Sequence, residues 1–225
     1  MPRRRSSVLL AAGLLLGTAY AGLSPGPAAA APEPLEVRLH AAVAKLPVRA
    51  EHDGTYDRKT FKHWVDADSD GCDTRAEVLV AESVTKPTVG SRCRISGARW
   101  RSLYDGRTWT DRADVDIDHV VALSEAFDSG AHRWDLDTRT RFANDLDHGP
   151  SLRAVTDDVN QAKSDLDPAE WLPTHGRCTY LADVVAVKLR WRLAVDTRER
   201  DALRKEIAPC KDVTLTVPLA EVKSR

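Results

Sequence analysis

Four side chains of this sequence have the types and the spacing needed for hydrolytic chemistry. Asp118 and His119 stand together near the end of an alternating run, and Asn160 and Lys163 lie three residues apart further along the chain. A histidine with an ordinary pKa can take a proton from an attacking water. Oxygen atoms of aspartate and asparagine can hold one divalent cation, which neutralises charge on a leaving oxygen. Together with a lysine, these residues suit the cleavage of a phosphodiester.

Two strands and a helix are needed to position these residues. Residues 114–121 alternate in polarity and predict a strand, a polar loop follows, and residues 151–155 predict a second strand. Residues 156–163 predict a helix, with Thr156 as its N-cap and two acidic residues in its first turn.

The predicted elements also define which side chains share a face. Asn160 and Lys163 share one face of the helix. Asp118 and His119 point to opposite faces of a strand unless the strand ends or bulges there. Pairing the strands and packing the helix across them would bring all four residues together.

The residues around these positions resemble the HNH endonuclease superfamily, also called ββα-metal nucleases, and most closely its secreted bacterial branch. The motifs that carry the resemblance are Asp116-Ile117-Asp118-His119-Val120-Val121 and Asp158-Val159-Asn160-Gln161-Ala162-Lys163-Ser164-Asp165. A looser similarity to the secreted branch extends from about Tyr56 to Cys210 and includes Phe142-Ala143-Asn144-Asp145 and Asp167-Pro168-Ala169-Glu170-Trp171.

The resemblance implies a role for each residue of the set. Asp118 and Asn160 would be ligands of one metal ion, and His119 would be the general base. Lys163 would lie near the scissile phosphate, and Arg153 would also neutralise phosphate charge. The implied reaction is hydrolysis of phosphodiester bonds with little sequence specificity, with DNA favoured as the substrate and RNA as the alternative. The expected ion is Mg²⁺, with Mn²⁺ as an alternative.

The sequence departs from the superfamily pattern at one position. The superfamily usually has a middle asparagine that braces the loop between the strands and orients the base. Asp147-His148-Gly149-Pro150-Ser151 occupies that region here. Either His148 or Asn144 could take the bracing role.

An acidic stretch has the spacing of a calcium-binding loop. Asp66, Asp68 and Asp70 are followed by a glycine and then by Glu77, between two segments with helical patterns. These four residues are candidate ligands for a structural Ca²⁺. The alternative is that Asp70 and Asp73 only form a turn and cap a helix.

The start of the chain is typical of an export signal. Three arginines precede an apolar stretch and then an alanine-rich segment, so residues 1–31 are predicted to be a signal peptide. The remaining residues, 32–225, are enough for one domain, with a catalytic core at about 114–173. Removing the three arginines would take the net charge from −1 to −4. We therefore expect a secreted protein that contacts nucleic acid through a local patch and has no membrane segment after cleavage.

The four cysteines predict two disulfides, because an even number in an exported chain is typical of disulfide bonds. Three connectivities are possible. We favour Cys72–Cys93 and Cys178–Cys210, because each pair brackets one compact segment.

Arginines cluster just before the catalytic strand and alternate with aromatic residues. The arginines are Arg92, Arg94, Arg99, Arg101, Arg107 and Arg112, and the aromatic residues are Trp100, Tyr104 and Trp109. This pattern favours a phosphate-binding rim with stacking surfaces, in which Arg101 binds substrate. The alternative is that the arginines are solvated and the tryptophans belong to the core.

The remaining patterns predict an α+β fold in which surrounding helices cover the ββα core. The predicted helices are 35–46, 56–65, 74–83, 178–195 and 197–207, a hairpin is predicted around Asp105-Gly106, and residues 213–217 predict a strand. We expect a monomer. The alternative function, from a different class, is a calcium-stabilised extracellular binding module on a nuclease scaffold that no longer cuts.

Overall fold

Short strands and helices alternate through residues 33–225, the part of the chain that this computed structural model describes. The α-helices are α1 (Leu39–Ala42), α2 (Thr74–Ala81), α3 (Leu123–Asp128), α4 (Leu136–Ala143), α5 (Asp157–Lys163), α6 (Arg177–Trp191) and α7 (Thr197–Ile207). The strands are β1 (Leu35–Arg38), β2 (Thr88–Gly90), β3 (Arg94–Ser96), β4 (Trp100–Arg101), β5 (Thr108–Trp109), β6 (Val115–His119), β7 (Leu152–Thr156) and β8 (Thr214–Val217). They form four antiparallel pairs, β1–β8, β2–β3, β4–β5 and β6–β7. The mixture of helix and sheet agrees with the predicted α+β class.

The pair of β6 and β7 is followed directly by α5, so the predicted strand–strand–helix unit is present. In its register Asp118 lies opposite Arg153, and His119 lies opposite Leu152. One face of the pair packs on α2 through a small core. The buried members of that core are Val78, Leu79, Ala98, Trp100, Val115, Ile117, Leu152 and Ala154. A slip by one residue would turn these side chains to the other face, so their burial fixes the register.

Thr156 precedes α5 but does not cap it, contrary to the prediction. Its hydroxyl donates to Asp105 at 3.0 Å and accepts from the indole nitrogen of Trp109 at 2.8 Å. The side chain therefore ties β7 to the β4–β5 hairpin instead. Asp157 and Asp158 still place negative charge at the positive end of the helix.

The larger core surrounds α6, which is buried along most of its length. Val184, Val185 and Leu181 are almost wholly buried, and so are the charged residues Lys188 and Arg190. The predicted helix is confirmed, although it ends at Trp191, where Arg192 has a positive φ of 53°. A helix buried on several faces in this way belongs to the centre of a domain.

The predicted helix over residues 35–46 is wrong for its first turn. Leu35–Arg38 is a strand that pairs with Thr214–Val217, and the helical part is limited to α1 and a following 3₁₀ turn, Val43–Lys45. The helix-like spacing of leucines is overridden because backbone pairing with the chain's last strand satisfies the polar groups of this segment. The strand predicted at residues 213–217 is confirmed as β8.

Two other segments differ from their predictions. The helix predicted over residues 56–65 is reduced to a 3₁₀ turn, Arg58–Thr60, whose N-cap Asp57 accepts a hydrogen bond from the Lys59 amide at 3.0 Å. The segment between β6 and β7, predicted as a polar loop, contains α3 and α4. The start of α4 has a capping residue, since the Asp135 side chain accepts from the Thr138 amide.

Other local predictions are confirmed. The helix predicted at residues 74–83 is α2, and β4 and β5 form the hairpin predicted around Asp105-Gly106. Both favoured disulfides, Cys72–Cys93 and Cys178–Cys210, are present. The first joins the acidic loop to β3's start, and the second joins the first turn of α6 to the segment after α7.

Within residues 33–225, no helix has the length and apolar character that crossing a membrane would require. The predicted signal peptide, residues 1–31, lies outside the described residues, and its boundary stays a prediction.

Candidate active site

A cavity of about 430 Å³ opens at the end of β6, beside the start of α3 and one face of α5. It brings together three of the predicted site residues, Asp118, His119 and Asn160. Three elements that are distant in sequence contribute to it, because α5 packs across the β6–β7 pair and the segment around Arg58 closes one side. The other predicted site residues do not line this cavity. They are Lys163, Arg153, Arg101, His148 and Asn144.

His119 is the last residue of β6, and its side chain is almost wholly buried. Its Nε2 lies 2.9 Å from the carbonyl oxygen of Ala143, and the ring stacks at a tilt near Trp64, with centroids 5.4 Å apart. Burial lowers the pKa of His119 from 6.5 to about 3, so the ring is neutral at pH 7. A neutral ring that donates from Nε2 has Nδ1 as its proton acceptor.

Asp118 is held by two buried donors. Lys163 Nζ donates to its Oδ1 at 3.0 Å, and the Tyr104 hydroxyl donates to its Oδ2 through a short hydrogen bond. Burial raises the pKa of Asp118, while Lys163 and Tyr104 act in the opposite direction. Burial, together with the negative charge of Asp118, raises the pKa of Tyr104 well above its ordinary value.

Asn160 lies on the cavity side of α5. Its amide nitrogen donates to Asp116 Oδ2 at 3.3 Å, which leaves its oxygen as the atom available to a ligand. The cavity-lining residues Asp118 and Asn160 can thus offer only oxygen atoms to a cation. Hard divalent cations such as Mg²⁺ and Ca²⁺ prefer such a donor set.

The predicted position of Lys163 near a scissile phosphate requires correction. Its side chain is fully buried, and Nζ contacts Asp118 and the His119 carbonyl oxygen, at 3.0 and 3.2 Å. A lysine at this point of α5 is turned inward because the buried carboxylate of Asp118 needs a counter-charge. Lys163 therefore acts on the cavity through Asp118 rather than by direct contact.

Arg153 and Arg101, predicted to bind substrate, also lie elsewhere. Arg153 donates to Asp183 at 2.7 Å and to Glu82 at 3.0 Å, so two carboxylates already neutralise it. It lines a separate cavity of about 320 Å³ together with Arg101, which is exposed. The pKa of Asp183 is raised to about 6 by burial, against the effect of Arg153.

The two candidates for the bracing role have different surroundings. The Asn144 amide makes four hydrogen bonds: its oxygen accepts from the Val65 amide and the Thr74 hydroxyl, and its nitrogen donates to the Lys62 and Thr140 carbonyl oxygens. Asn144 also follows Ala143, whose carbonyl oxygen contacts His119.

His148 has no comparable set of contacts. Its Nε2 is buried without a hydrogen-bond partner among residues 33–225, and burial lowers its pKa to about 4.

Three residues of the site were not predicted from the sequence. Arg58 and Tyr56 line the cavity, and the Tyr104 hydroxyl donates a hydrogen bond to Asp118. Arg58 and Tyr56 sit in a segment that was predicted as an amphipathic helix, and nothing in their spacing signals the cavity. Tyr104 was interpreted as a surface for stacking, but it is completely buried.

The predicted arginine rim is only partly supported. The six arginines of this cluster are exposed. Trp100 and Tyr104 are buried, however, at 3% and 0% exposure, so these two rings belong to the core and cannot stack on bases. Arg107 lies over the Trp109 ring at 4.3 Å and pairs with Asp158 at 3.4 Å.

The acidic loop before α2 brings three of its predicted ligands together, and the fourth, Glu77, lies near only one of them. Carboxylate oxygens of Asp66, Asp68 and Asp70 lie within 4.8 Å of one another, and Glu77 lies within the same distance of Asp70. Burial, followed by the charges of the three aspartates, raises the pKa of Glu77. The turn interpretation is also correct in its details, because Asp73 caps α2 and Asp70 accepts from the Cys72 amide at 2.7 Å.

Comparison with known proteins adds a family to this geometry. Residues 74–206, more than half of the chain, match the family described as GmrSD restriction endonucleases, C-terminal domain. The matched range contains β6, β7 and α5 and therefore the residues Asp118, His119 and Asn160. No solved structure matches the chain.

A protein of the fungus Arthroderma benhamiae, named only as an uncharacterised secreted protein, is 44% identical over 157 residues. The aligned region covers 69% of this chain and 76% of the relative. The prediction of a secreted protein is confirmed by this relative, whereas the expected likeness to a bacterial branch is not, because the relative is fungal. On the family match, the chain belongs to the family of GmrSD restriction endonuclease C-terminal domains.

Proposed function

We propose that this protein is a secreted, metal-dependent endonuclease of the HNH type that hydrolyses phosphodiester bonds of DNA with little sequence specificity. The observation that carries the proposal is the meeting of His119, Asp118 and Asn160 in one cavity. The restriction-endonuclease description of the family favours DNA over RNA as the substrate.

His119 acts as the general base in this proposal. The contact between Nε2 and the Ala143 carbonyl oxygen fixes one tautomer, in which Nδ1 has a free lone pair. The low pKa keeps the ring neutral before substrate enters. A bound phosphate is an anion and would raise the pKa of His119, which makes the ring a better acceptor for the proton of an attacking water.

Asp118 and Asn160 would hold the divalent ion, with Asp116 orienting the Asn160 amide. The all-oxygen donor set fits Mg²⁺, and each Asp118 oxygen keeps one lone pair beyond its hydrogen bond to Lys163 or Tyr104. When bound, such an ion supplies positive charge at the phosphoryl and leaving oxygens. Lys163 and Tyr104 hold the Asp118 carboxylate in place, and Asn144 braces the segment that carries Ala143.

Cleavage of plasmid DNA with Mg²⁺ or Mn²⁺, and its loss on adding EDTA, tests this function. His119→Ala is expected to lower the rate by about 10²–10⁴-fold, the usual contribution of a positioned base. His40→Ala, at a histidine that does not line the cavity, is the matched control. A His119→Ala protein that cuts at the wild-type rate would remove His119 from this role.

A second candidate function is favoured by the two hydrogen bonds of the Asp118 carboxylate. Lys163 and Tyr104 each donate to one of its oxygens, so the carboxylate has partners without a metal ion, which is also compatible with a calcium-stabilised binding module that does not cut DNA. The plasmid assay separates the two functions. Absence of cleavage in every divalent metal tested, with a correctly folded protein, would favour the binding module.

The acidic loop is proposed as a structural Ca²⁺ site with Asp66, Asp68, Asp70 and Glu77 as ligands. Calcium that binds only the folded state should raise the melting temperature. At a free calcium concentration of one hundred times the dissociation constant, it should stabilise the folded state by about 2.7 kcal/mol. A double substitution, Asp66→Asn with Asp68→Asn, should abolish the rise, whereas Asp147→Asn on an exposed loop should not. A wild-type melting temperature unchanged by millimolar calcium contradicts the site.

A further inference from the structure

Residues Arg58 to His63 form a cationic surface beside the active-site cavity. Arg58 lines that cavity and also a neighbouring open groove of about 520 Å³. Lys59, Lys62 and His63 line the groove as well, together with Phe61 and one acidic residue, Asp57. Arg58 therefore borders both concave regions.

The basic side chains of this surface are not neutralised by neighbours. Arg58, Lys59 and Lys62 are all exposed, and among residues 33–225 none of them has a carboxylate oxygen within 4.0 Å. The nearby Asp57 uses its carboxylate to cap the 3₁₀ turn. Arg153 and Arg107 are each paired with acidic residues, and the other arginines predicted to bind phosphate do not line the active-site cavity.

A second donor stands next to Arg58 at the cavity. The Tyr56 hydroxyl is buried and has no hydrogen-bond acceptor for its proton within the described part of the chain. Burial raises its pKa, and the adjacent Arg58 partly opposes that effect. A buried hydroxyl without an acceptor is costly, and the oxygen of a ligand held by Arg58 would satisfy it.

The rest of the cavity carries acidic residues, so a polyanion needs cations nearby in order to bind there. Asp118 and Asp165 line the cavity, and the chain without its first 31 residues is expected to be net acidic. A polyanion is repelled by these groups unless cations hold its phosphates nearby. The surface from Arg58 to His63 is the group of unpaired cations that borders the cavity in the described structure.

We propose that the surface from Arg58 to His63 binds the sugar–phosphate backbone of the nucleic acid and leads it to His119. Arg58, with Tyr56, contacts the phosphate at the cavity, and Lys59 and Lys62 contact its neighbours along the groove. The position of the cleaved phosphate rests on the proposed function. The surface also lies before residues 74–206, so it is supplied by a segment outside the matched family region. Contacts of this kind are independent of base sequence.

Binding is measured apart from cleavage by using His119→Ala protein and fluorescein-labelled DNA, as duplex and as single strand, in fluorescence anisotropy over a range of KCl concentrations. For duplex DNA, each lost phosphate contact lowers the slope of log K against log salt concentration by roughly 0.9. Lys59→Ala with Lys62→Ala should therefore reduce the slope by about 1.8, and Arg58→Ala should reduce it by about one more. Lys86→Ala with Lys211→Ala, which removes the same charge from two other exposed lysines, is the matched control and should leave it unchanged.

The outcomes separate this surface from the proposed function. Three outcomes would contradict the proposed binding surface. They are an unchanged salt slope in the variant that lacks Lys59 and Lys62, an equal loss of slope in the control variant, and no DNA binding by the His119→Ala protein. Cleavage by the His119→Ala protein at the wild-type rate would contradict the role of His119 as the base. The salt dependence of DNA binding would still test the proposed binding surface. If the surface guides substrate, the double lysine variant in an otherwise wild-type enzyme raises KM more than it lowers kcat.

Discussion

At the scale of single residues, the unusual feature is a buried ion pair beneath the candidate active site. Lys163 and Asp118 are 0% and 6% exposed in their side chains and lie 3.0 Å apart. Moving either charge out of water is costly, and the cost is offset only while both partners and their hydrogen bonds are present. The pair therefore fixes the Asp118 carboxylate, and the fixed carboxylate can present its remaining lone pairs to a metal ion.

Lys163→Met should lower the free energy of unfolding by roughly 3–5 kcal/mol, because it leaves a buried carboxylate without its counter-charge. Urea denaturation measures this change. Adding Asp118→Asn to Lys163→Met should recover part of the loss, since the remaining charge is then removed as well. Lys86→Met, at an exposed lysine, should change the stability by less than about 0.5 kcal/mol.

A lysine that touched only the bound phosphate would behave differently. Its substitution would lower activity and leave the unfolding free energy close to that of the wild type. A Lys163→Met protein with wild-type stability would therefore contradict the buried pair and restore the position predicted from the sequence.

At the scale of elements, the end of α4 determines where the His119 ring is held. Ala143 is the last residue of α4 and contacts His119 through its carbonyl oxygen. Asn144 then connects that end to Lys62, Val65 and Thr74 through three hydrogen bonds, and a fourth returns to Thr140 within α4. Loss of these bonds would release the carbonyl group that contacts His119.

Asn144→Ala should therefore destabilise the protein by roughly 2–6 kcal/mol, from four bonds of about 0.5–1.5 kcal/mol each. It should also lower the rate of DNA cleavage. His148→Phe should be tolerated far better, since the buried Nε2 of His148 has no described partner to lose. Thermal melting and the plasmid assay measure both effects. A larger loss in the His148 variant would give the bracing role to His148.

The elements also show which parts of the fold the sequence could predict. The local spacing of apolar residues predicts four of the elements, β6, β7, α2 and α6. The dipeptide Asp105-Gly106 predicts the β4–β5 hairpin. β1 was mistaken for helix because its strand form depends on pairing with β8, at the other end of the chain. A strand pairing between the two ends of the chain cannot be detected from the local spacing of apolar residues.

The site shows the same division between local and long-range information. Residue types were sufficient to select Asp118, His119 and Asn160, which share the cavity. Spacing gave Lys163 the right element but not the direction of its side chain, because a long side chain on α5 can reach either inward or outward. The contact of Tyr104 with Asp118 depends on tertiary packing that no spacing records.

At the scale of the whole molecule, one buried cluster joins three helices. Lys188 of α6 lies 2.6 Å from Glu125 of α3 and 2.6 Å from Glu199 of α7, and all three side chains are buried. Two carboxylates thus share one ammonium group, which leaves one negative charge without a counter-charge. Burial raises the pKa of Glu199 from 4.5 to about 8, with Glu125 adding to the effect and Lys188 opposing it. Burial therefore favours the protonated form of Glu199 in the folded protein.

This protonation links the stability of the protein to pH. Because the pKa of Glu199 is higher in the folded state, its stabilising contribution is complete below about pH 4.5 and is lost as the pH rises to about 8. Across that window the free energy of unfolding should fall by up to roughly 1.4 kcal/mol per pH unit from this group. Glu199→Gln, which cannot lose a proton, should remove that part of the fall. The stability of the variant relative to the wild type should therefore increase as the pH rises.

Urea denaturation between pH 5 and 8.5 measures the difference, with Asp201→Asn on the exposed side of α7 as the control. Parallel curves for the wild type and Glu199→Gln would mean that Glu199 is ionised in the folded protein and that Lys188 is balanced by both carboxylates together.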